Sequence, residues 1–529
     1  MSRFTRLRGA KRLTAPRRIA GLAVLAALSG CVIVVRSLSV EEVPKPEASE
    51  TVVESPLKAF LASGEIVVFP TGSVVSPDQV VGEGVRYSLD LEESRRVSSL
   101  PMDSIVGLEA FDGSINGGAT VLASIGATAG VVLAAVGIAC AADPKCFGSC
   151  PTVYTWEDGS EVLEAEAFSY SIAPLLEGRD VDRLGARPDG DGVLRLELRN
   201  EALETHYINH LEILQVDHLA SRSAFPTESG RIVTVGRIQG VRSAVDRSGR
   251  SLEDSLGVRD GIAPSSPLAR LESVTPEDHH DWIELVFPTP AEPTAALVLR
   301  LRNSLLNSVL FYDLMLGARG AEALNWLGRD IKRIDEAVEL GRWFQETMGL
   351  RVEVHDGAAW REVARVPDTG PIAWEELAVR VPVPDTPELR VRLSFLVDEW
   401  RIDWVALGAG VEEADAKIVP LASVARIDAE PDASIVDLLA EPDDRYLITS
   451  AATAFSLEFR PTPSQAEQTF FLSSQGYYTE WIRPEWIRTG SPEVPFSPDG
   501  NTAVELVDRW MSVKDEFEAR FFATRIPVR

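Results

Sequence analysis

Two stretches decide the fold class: Leu389-Arg390-Val391-Arg392-Leu393-Ser394-Phe395 and Trp400-Arg401-Ile402-Asp403-Trp404-Val405-Ala406-Leu407. Leu389, Val391, Leu393 and Phe395 alternate with polar residues, as do Trp400, Ile402 and Trp404. A period of two places one face of a strand in a core and the other toward water. Leu194, Leu196 and Leu198 repeat the pattern against Arg195, Glu197 and Arg199. Asp-Gly pairs at Asp189-Gly190, Asp191-Gly192, Asp356-Gly357 and Asp499-Gly500 supply chain reversals. The pattern predicts a mainly β chain: a small β-barrel-like unit, one apolar helix, then a β-sandwich or jelly-roll region with a few packed helices.

Helical spacing is confined to short segments. Asp330 can cap a helix carrying Ile331, Ile334, Val338, Phe344 and Met348, which Gly349 would end. Leu506, Trp510, Val513 and Phe517 form a second apolar stripe. Residues 350–408, ending in the tryptophan-rich strand, resemble the galactose-binding-like jelly rolls in pattern. That resemblance implies a sandwich fold and no activity.

The 529 residues include 52 Lys and Arg against 80 Asp and Glu, for a formal charge of −28. Non-specific nucleic-acid binding needs a basic surface, so that class is excluded and no nucleic-acid partner is expected. With 45% hydrophobic residues and four cysteines, the chain is neither disordered nor a disulfide-dense scaffold.

The N-terminus reads as an address. Arg3, Arg6, Arg8, Lys11, Arg12, Arg17 and Arg18 precede an apolar run from Ile19 to Leu28, and then comes Leu28-Ser29-Gly30-Cys31. A basic region, a short apolar region and small residues before a cut make a secretory signal. Leu28-Ser29-Gly30-Cys31 resembles the lipobox of bacterial lipoproteins. The resemblance implies acylation of Cys31 (palmitate among the chains), cleavage before it, and a lipid anchor in the cell envelope. With Val32 following, it implies the outer membrane where one exists. Several acyl chains anchor firmly where one does not.

Expected domains follow in order: the signal peptide over 1–30, a Glu/Pro/Ser-rich tether over 31–57, and a small β unit over 58–113. An apolar helix over 114–143 comes next, followed by a β-rich domain over 144–320 and a helical connection over 321–349. A jelly-roll-like sandwich over 350–410 precedes a β-rich segment with a C-terminal helix over 411–529. Residues 113–142 carry no charge, and Ala119 to Ala142 is long enough to cross a membrane. Gly126-x-x-x-Gly130 supplies a smooth face for helix association. Insertion of that helix beside a Cys31 anchor on the outer face would place residues 151–529 in the cytoplasm; without insertion they stay outside.

Cys140, Cys146 and Cys150 follow the apolar run, and two of them could form a disulfide outside the cytoplasm. Cys150-Pro151-Thr152-Val153-Tyr154 and its context resemble an uncharacterised family of bacterial membrane-associated lipoproteins. That family carries no catalytic residues to transfer.

Candidate chemistry is sparse. Glu204, His206 and His210 could hold zinc or a similar ion, with His206 and His210 expected on one face, though structural histidines are the competing reading. Tyr207 stands where a His-Glu-x-x-His motif needs its glutamate. Glu277-Asp278-His279-His280-Asp281-Trp282 is a second polar knot. Tyr477, Tyr478 and Trp481, with Phe470, Phe471 and Trp486 nearby, could form a stacking platform for sugar rings or else a core. No nucleophile elbow, phosphate loop or dinucleotide fingerprint is present, and no cofactor is expected. The expected role is a lipid-anchored envelope protein that binds an envelope protein or glycan, or serves structurally, without catalysis. The alternatives are an envelope glycan-acting hydrolase and a membrane-embedded structural protein.

Overall fold

The computed structural model describes residues 36–42, 50–53, 57–61, 66–69, 73–87, 94–115, 150–157, 159–171, 177–202, 204–316, 343, 346–427, 429–443, 445–450, 453–480 and 500–523. Cys31, the apolar stretch 119–142, Cys140, Cys146, Trp481 and Trp486 lie outside the described residues, as does most of the 321–349 connection. Among the described residues no helix is long and apolar enough to cross a membrane. The fold is mainly β, with sheets packed as a sandwich, one nearly closed barrel-like sheet and few helices.

An N-terminal antiparallel sheet runs in the order Arg36–Glu42, Ile105–Ile115, Leu57–Leu61, Ile66–Phe69, Gln79–Tyr87, Ser73–Val75, Thr51–Val53, and Ser94–Pro101 also pairs with Gln79–Tyr87. Leu57, Ala59 and Leu61, with Val67 and Phe69, are buried at period two and form its core with Val80, Leu100 and Leu108. Two of these strands, Arg36–Glu42 and Thr51–Val53, lie within the stretch expected to be a tether. The correction has a plain cause. Leu38 and Val40 alternate with Ser37, Ser39 and Glu41, and the long strand Ile105–Ile115 offers that segment a complete ladder partner.

The second sheet is built from both ends of the remaining chain. Its order is Ser160–Glu166, Thr152–Glu157, Leu194–Arg199, Ala454–Phe459, Lys417–Arg426, Glu204–His218, Glu467–Glu480, Gly178–Leu184, with Leu447–Ser450 also on Glu204–His218. The strand Glu204–His218 is sealed along its length by Glu467–Glu480. The first and last strands of this sheet approach each other, and Gly185 N–H donates to Glu164 Oε2 across the seam at 2.6 Å. The sheet is thus close to a barrel whose seam is held by a side chain rather than by a backbone ladder.

Between the two halves of that sheet the chain leaves to build the sandwich. A five-stranded sheet (Ser243–Asp246, His280–Pro288, Glu388–Leu396, Leu350–His355, Trp360–Val366) faces a four-stranded one (Ile238–Gly240, Trp400–Ala409, Thr294–Asn303, Glu375–Pro382). Leu389, Val391, Leu393, Trp400, Ile402 and Val405 fill the core between them with Leu285, Leu297 and Leu299. The sandwich therefore draws strands from 238–303 as well as from 350–409, whereas its expected span was 350–410. A three-stranded sheet, Ser223–Pro226, Ile232–Val235 and Glu412–Glu413, ties the outgoing chain to the returning one.

The C-terminal helix Gly500–Ala523 buries Leu506, Trp510 and Phe517, the stripe read from the sequence. It docks where the sandwich strands Glu388–Leu396 and Trp400–Ala409 turn. Asp398 at that turn has φ 63° and accepts from Trp510 Nε1 at 2.8 Å, Lys514 Nζ at 2.6 Å and Arg401 Nη1 at 3.0 Å. Burial alone would raise this carboxyl, but Arg401 and Lys514 outweigh it and hold Asp398 below the usual range.

Candidate functional site

The expected metal set does not converge. His206 Nε2 lies 2.7 Å from Glu204 Oε1, both fully buried, and burial pushes the imidazole down to about 3, so it is neutral. His210 goes elsewhere, with Nδ1 2.9 Å from the Leu439 carbonyl and Nε2 3.4 Å from Glu212. The cause is a β-bulge. His206 pairs with Tyr478 and Ile208 with Gly476, but His210 pairs with Gln475. One extra residue at Asn209 flips the alternation, so His206 and His210 lie on opposite faces. Asn209 uses the bulge to exchange hydrogen bonds with the Asp443 backbone at 2.7 and 3.1 Å.

The aromatic platform is also corrected. Tyr477 and Tyr478 are buried, and Tyr477 stacks on Tyr207 at 4.6 Å with 8° between the planes. Tyr478 donates its hydroxyl to the Ser169 carbonyl at 2.9 Å. These rings are core, so no sugar can reach them. Cys150 carries a free, buried thiol that donates to Glu166 Oε1 at 3.2 Å, while Cys140 and Cys146, the other two cysteines of the expected disulfide, lie outside the described residues. In the second polar knot, Asp278 pairs with Arg247 at 2.6 Å and His280 Nε2 lies 3.1 Å from the Thr347 carbonyl. That is a loop–strand junction using its polar groups locally.

A different constellation stands out at the barrel seam. Strand Gly178–Leu184 carries Asp180 and Asp182 at the i, i+2 spacing that puts both on one face. Glu375 opens the sandwich strand Glu375–Pro382 and meets them there. One carboxylate oxygen from each of Asp180, Asp182 and Glu375 lies within 4.8 Å of the others. Asp182 is 4% exposed, and neither of its oxygens has a hydrogen-bond partner among the described residues.

The neighbours sharpen the anomaly. Glu376, one residue on, turns to the other side and pairs with Arg183 at 2.7 Å and Arg259 at 2.9 Å. Glu166, from the strand across the seam, accepts from the Ile372 and Ala373 N–H groups at 2.8 and 3.1 Å and so grips the sandwich loop. That loop passes close enough that a Cβ on Gly370, at φ +83°, would sit 2.7 Å from Glu166 Cδ. Removal from water pushes Asp180 up to about 6, against hydrogen bonds from the Val181 and Phe168 backbones. Asp182 rises well above the carboxylate range through burial and the charges of Asp180 and Glu166. Glu375 rises likewise through burial, Asp180, Asp182, Glu166 and Asp368. Phe168 beside them holds φ 40°, an uncommon conformation for a residue with a side chain.

The sequence reading missed this cluster. Its legible half is Arg179-Asp180-Val181-Asp182-Arg183, a strand with acids on one face and arginines on the other. Glu375 is distant in sequence, and only the insertion of the sandwich brings it near.

No family model matches the chain, and no curated protein matches it either. Among solved structures, the secreted serine protease VesC from Vibrio cholerae aligns at 7% identity, covering 71% of this chain and 99% of that one. The TM-score of 0.13 gives that alignment no weight for fold or activity.

Proposed function

We propose that the chain is a lipid-anchored protein of the cell envelope whose β region binds or supports an envelope component without catalysis. The observation that carries this reading is the run of basic residues, apolar segment and Leu28-Ser29-Gly30-Cys31 at the N-terminus. Burial of the histidine pair and the tyrosines adds support, because the side chains with the most obvious chemistry are spent on the core. A glycan-hydrolase reading would draw on the raised carboxylates of the seam, but Asp182 is too deeply buried to reach a glycosidic bond.

Metabolic labelling with an alkyne palmitate tests the anchor. Label is expected on the wild type and absent from Cys31→Ser, which should also leave the membrane fraction. Equal labelling of both would overturn the reading. A soluble chain starting at Pro151 would then serve as bait for envelope proteins and glycans.

A further inference from the structure

We propose that Asp180, Asp182 and Glu375 bind a divalent cation of calcium's size, which pins the inserted sandwich to the seam of the barrel-like sheet. The buried, unpartnered Asp182 carries the argument. A carboxylate shut away from water without a hydrogen bond costs several kcal/mol unless an opposite charge meets it. Among the described residues no such charge is supplied: Asp180 and Glu166 are the groups whose charges weigh on Asp182, and both are acids. The contrast with Glu376, which two arginines satisfy one residue away, shows that guanidinium groups are at hand and are directed elsewhere.

Ligand chemistry selects the ion. All three donors are carboxylate oxygens, the set preferred by hard cations, with no imidazole or thiolate among them. The Cys150 thiol is committed to Glu166, and burial pushes its pKa well up, so it offers no soft ligand. Oxygens within 4.8 Å of one another can all touch one ion at calcium–oxygen distances of about 2.3–2.6 Å. Magnesium demands a near-ideal octahedron and gives up its water reluctantly, which suits an irregular, largely buried set of three carboxylates less well. Asp180 and Glu375 keep partial exposure, which leaves a side open for water ligands. Two ligands come from the barrel's last strand and one from the sandwich, so the ion joins units that the chain connects only through 219–237 and 410–416. The proposal is independent of the lipid anchor.

The test uses the full chain in detergent, stripped with EDTA and titrated with calcium or magnesium by equilibrium dialysis and thermal melting. Asp182→Asn and Glu375→Gln serve as two separate variants, each checked for folding by circular dichroism. The wild type is expected to bind one calcium more per chain than either variant, or to bind it on the order of tenfold more tightly or better. Its melting midpoint should rise with calcium, while the variants' midpoints stay put. Terbium, a calcium substitute, should luminesce in the wild type only, through Tyr170, on whose hydroxyl the charges of Asp180, Asp182 and Glu375 all act. Equal calcium binding by all three chains, or a wild-type midpoint indifferent to calcium, would overturn the site. Magnesium matching calcium at equal concentration would overturn the assignment of ion size.

Discussion

Asp398, at a turn of the sandwich, and Asp182, on the barrel strand that meets the sandwich, are both buried aspartates, yet their surroundings are opposite. Asp398 receives Arg401, Lys514 and the Trp510 indole, so its charge is matched and its carboxyl is held low. Asp182 receives no hydrogen bond among the described residues and faces Asp180 and Glu375. The lesson is that burial alone does not define a carboxylate's role. A matched one fastens two elements by itself, whereas an unmatched one needs something from solution.

The sharpest way to break this comparison is to apply one substitution to both. Asp398→Asn should cost about 3–5 kcal/mol, because Lys514 loses its carboxylate partner and the buried Arg401 keeps only Glu518 of its two. Denaturant unfolding of the full chain measures it, and the helix Gly500–Ala523 should lose protease resistance first. Asp182→Asn in EDTA should cost nothing or stabilise, since it removes a repulsion. Equal losses at both positions would erase the distinction.

A smaller effect comes from pH. Glu399 is pushed up to about 8 by burial, with the Asp368 charge adding to the rise, against hydrogen bonds from the Gly349 and Leu396 N–H groups. A folded pKa raised above the ordinary 4.5 means the native state binds the extra proton. Its contribution is therefore full below about pH 4.5 and lost as pH rises toward 8. Glu399→Gln should flatten stability across that window, read from denaturation midpoints at pH 5 and pH 8. An unchanged slope would show that Glu399 is not the titrating group.

Gly370→Ala comes next. A Cβ there meets Glu166 and adds left-handed strain, for a cost of about 1–2 kcal/mol. It should also weaken calcium binding by displacing the loop that presents Glu375, and unchanged calcium affinity would separate Glu166 from the site. The smallest effect belongs to Arg380→Ala, which removes an exposed pair with Glu413 and should cost under about 1 kcal/mol.

Much of the architecture was readable as local pattern. Leu194 to Leu198, Leu389 to Phe395 and Trp400 to Trp404 are strands as their alternation says, and the 506–517 stripe is a buried helix face. What escaped was long-range. Nothing near Leu194 tells that its strand pairs with Ala454–Phe459, so the sandwich was not recognisable as an insertion. The bulge at Asn209 escaped for a related reason: a flipped register depends on the partner strand, and the His206/His210 spacing reads identically with or without it. Tyr477 and Tyr478 illustrate a third limit, since an aromatic side chain suits a core and a binding platform equally well. The carboxylate cluster combines these limits, with two members on one short strand and the third supplied by the inserted sandwich.

The most direct test is amide hydrogen exchange on the full chain with calcium and then with EDTA. The account predicts that 178–184 and 368–376 exchange slowly with calcium and faster without it, while the helix Gly500–Ala523, fastened by Asp398, is unchanged. Identical exchange in the two conditions at 178–184 and 368–376 would contradict the claim that a cation holds the sandwich to the seam.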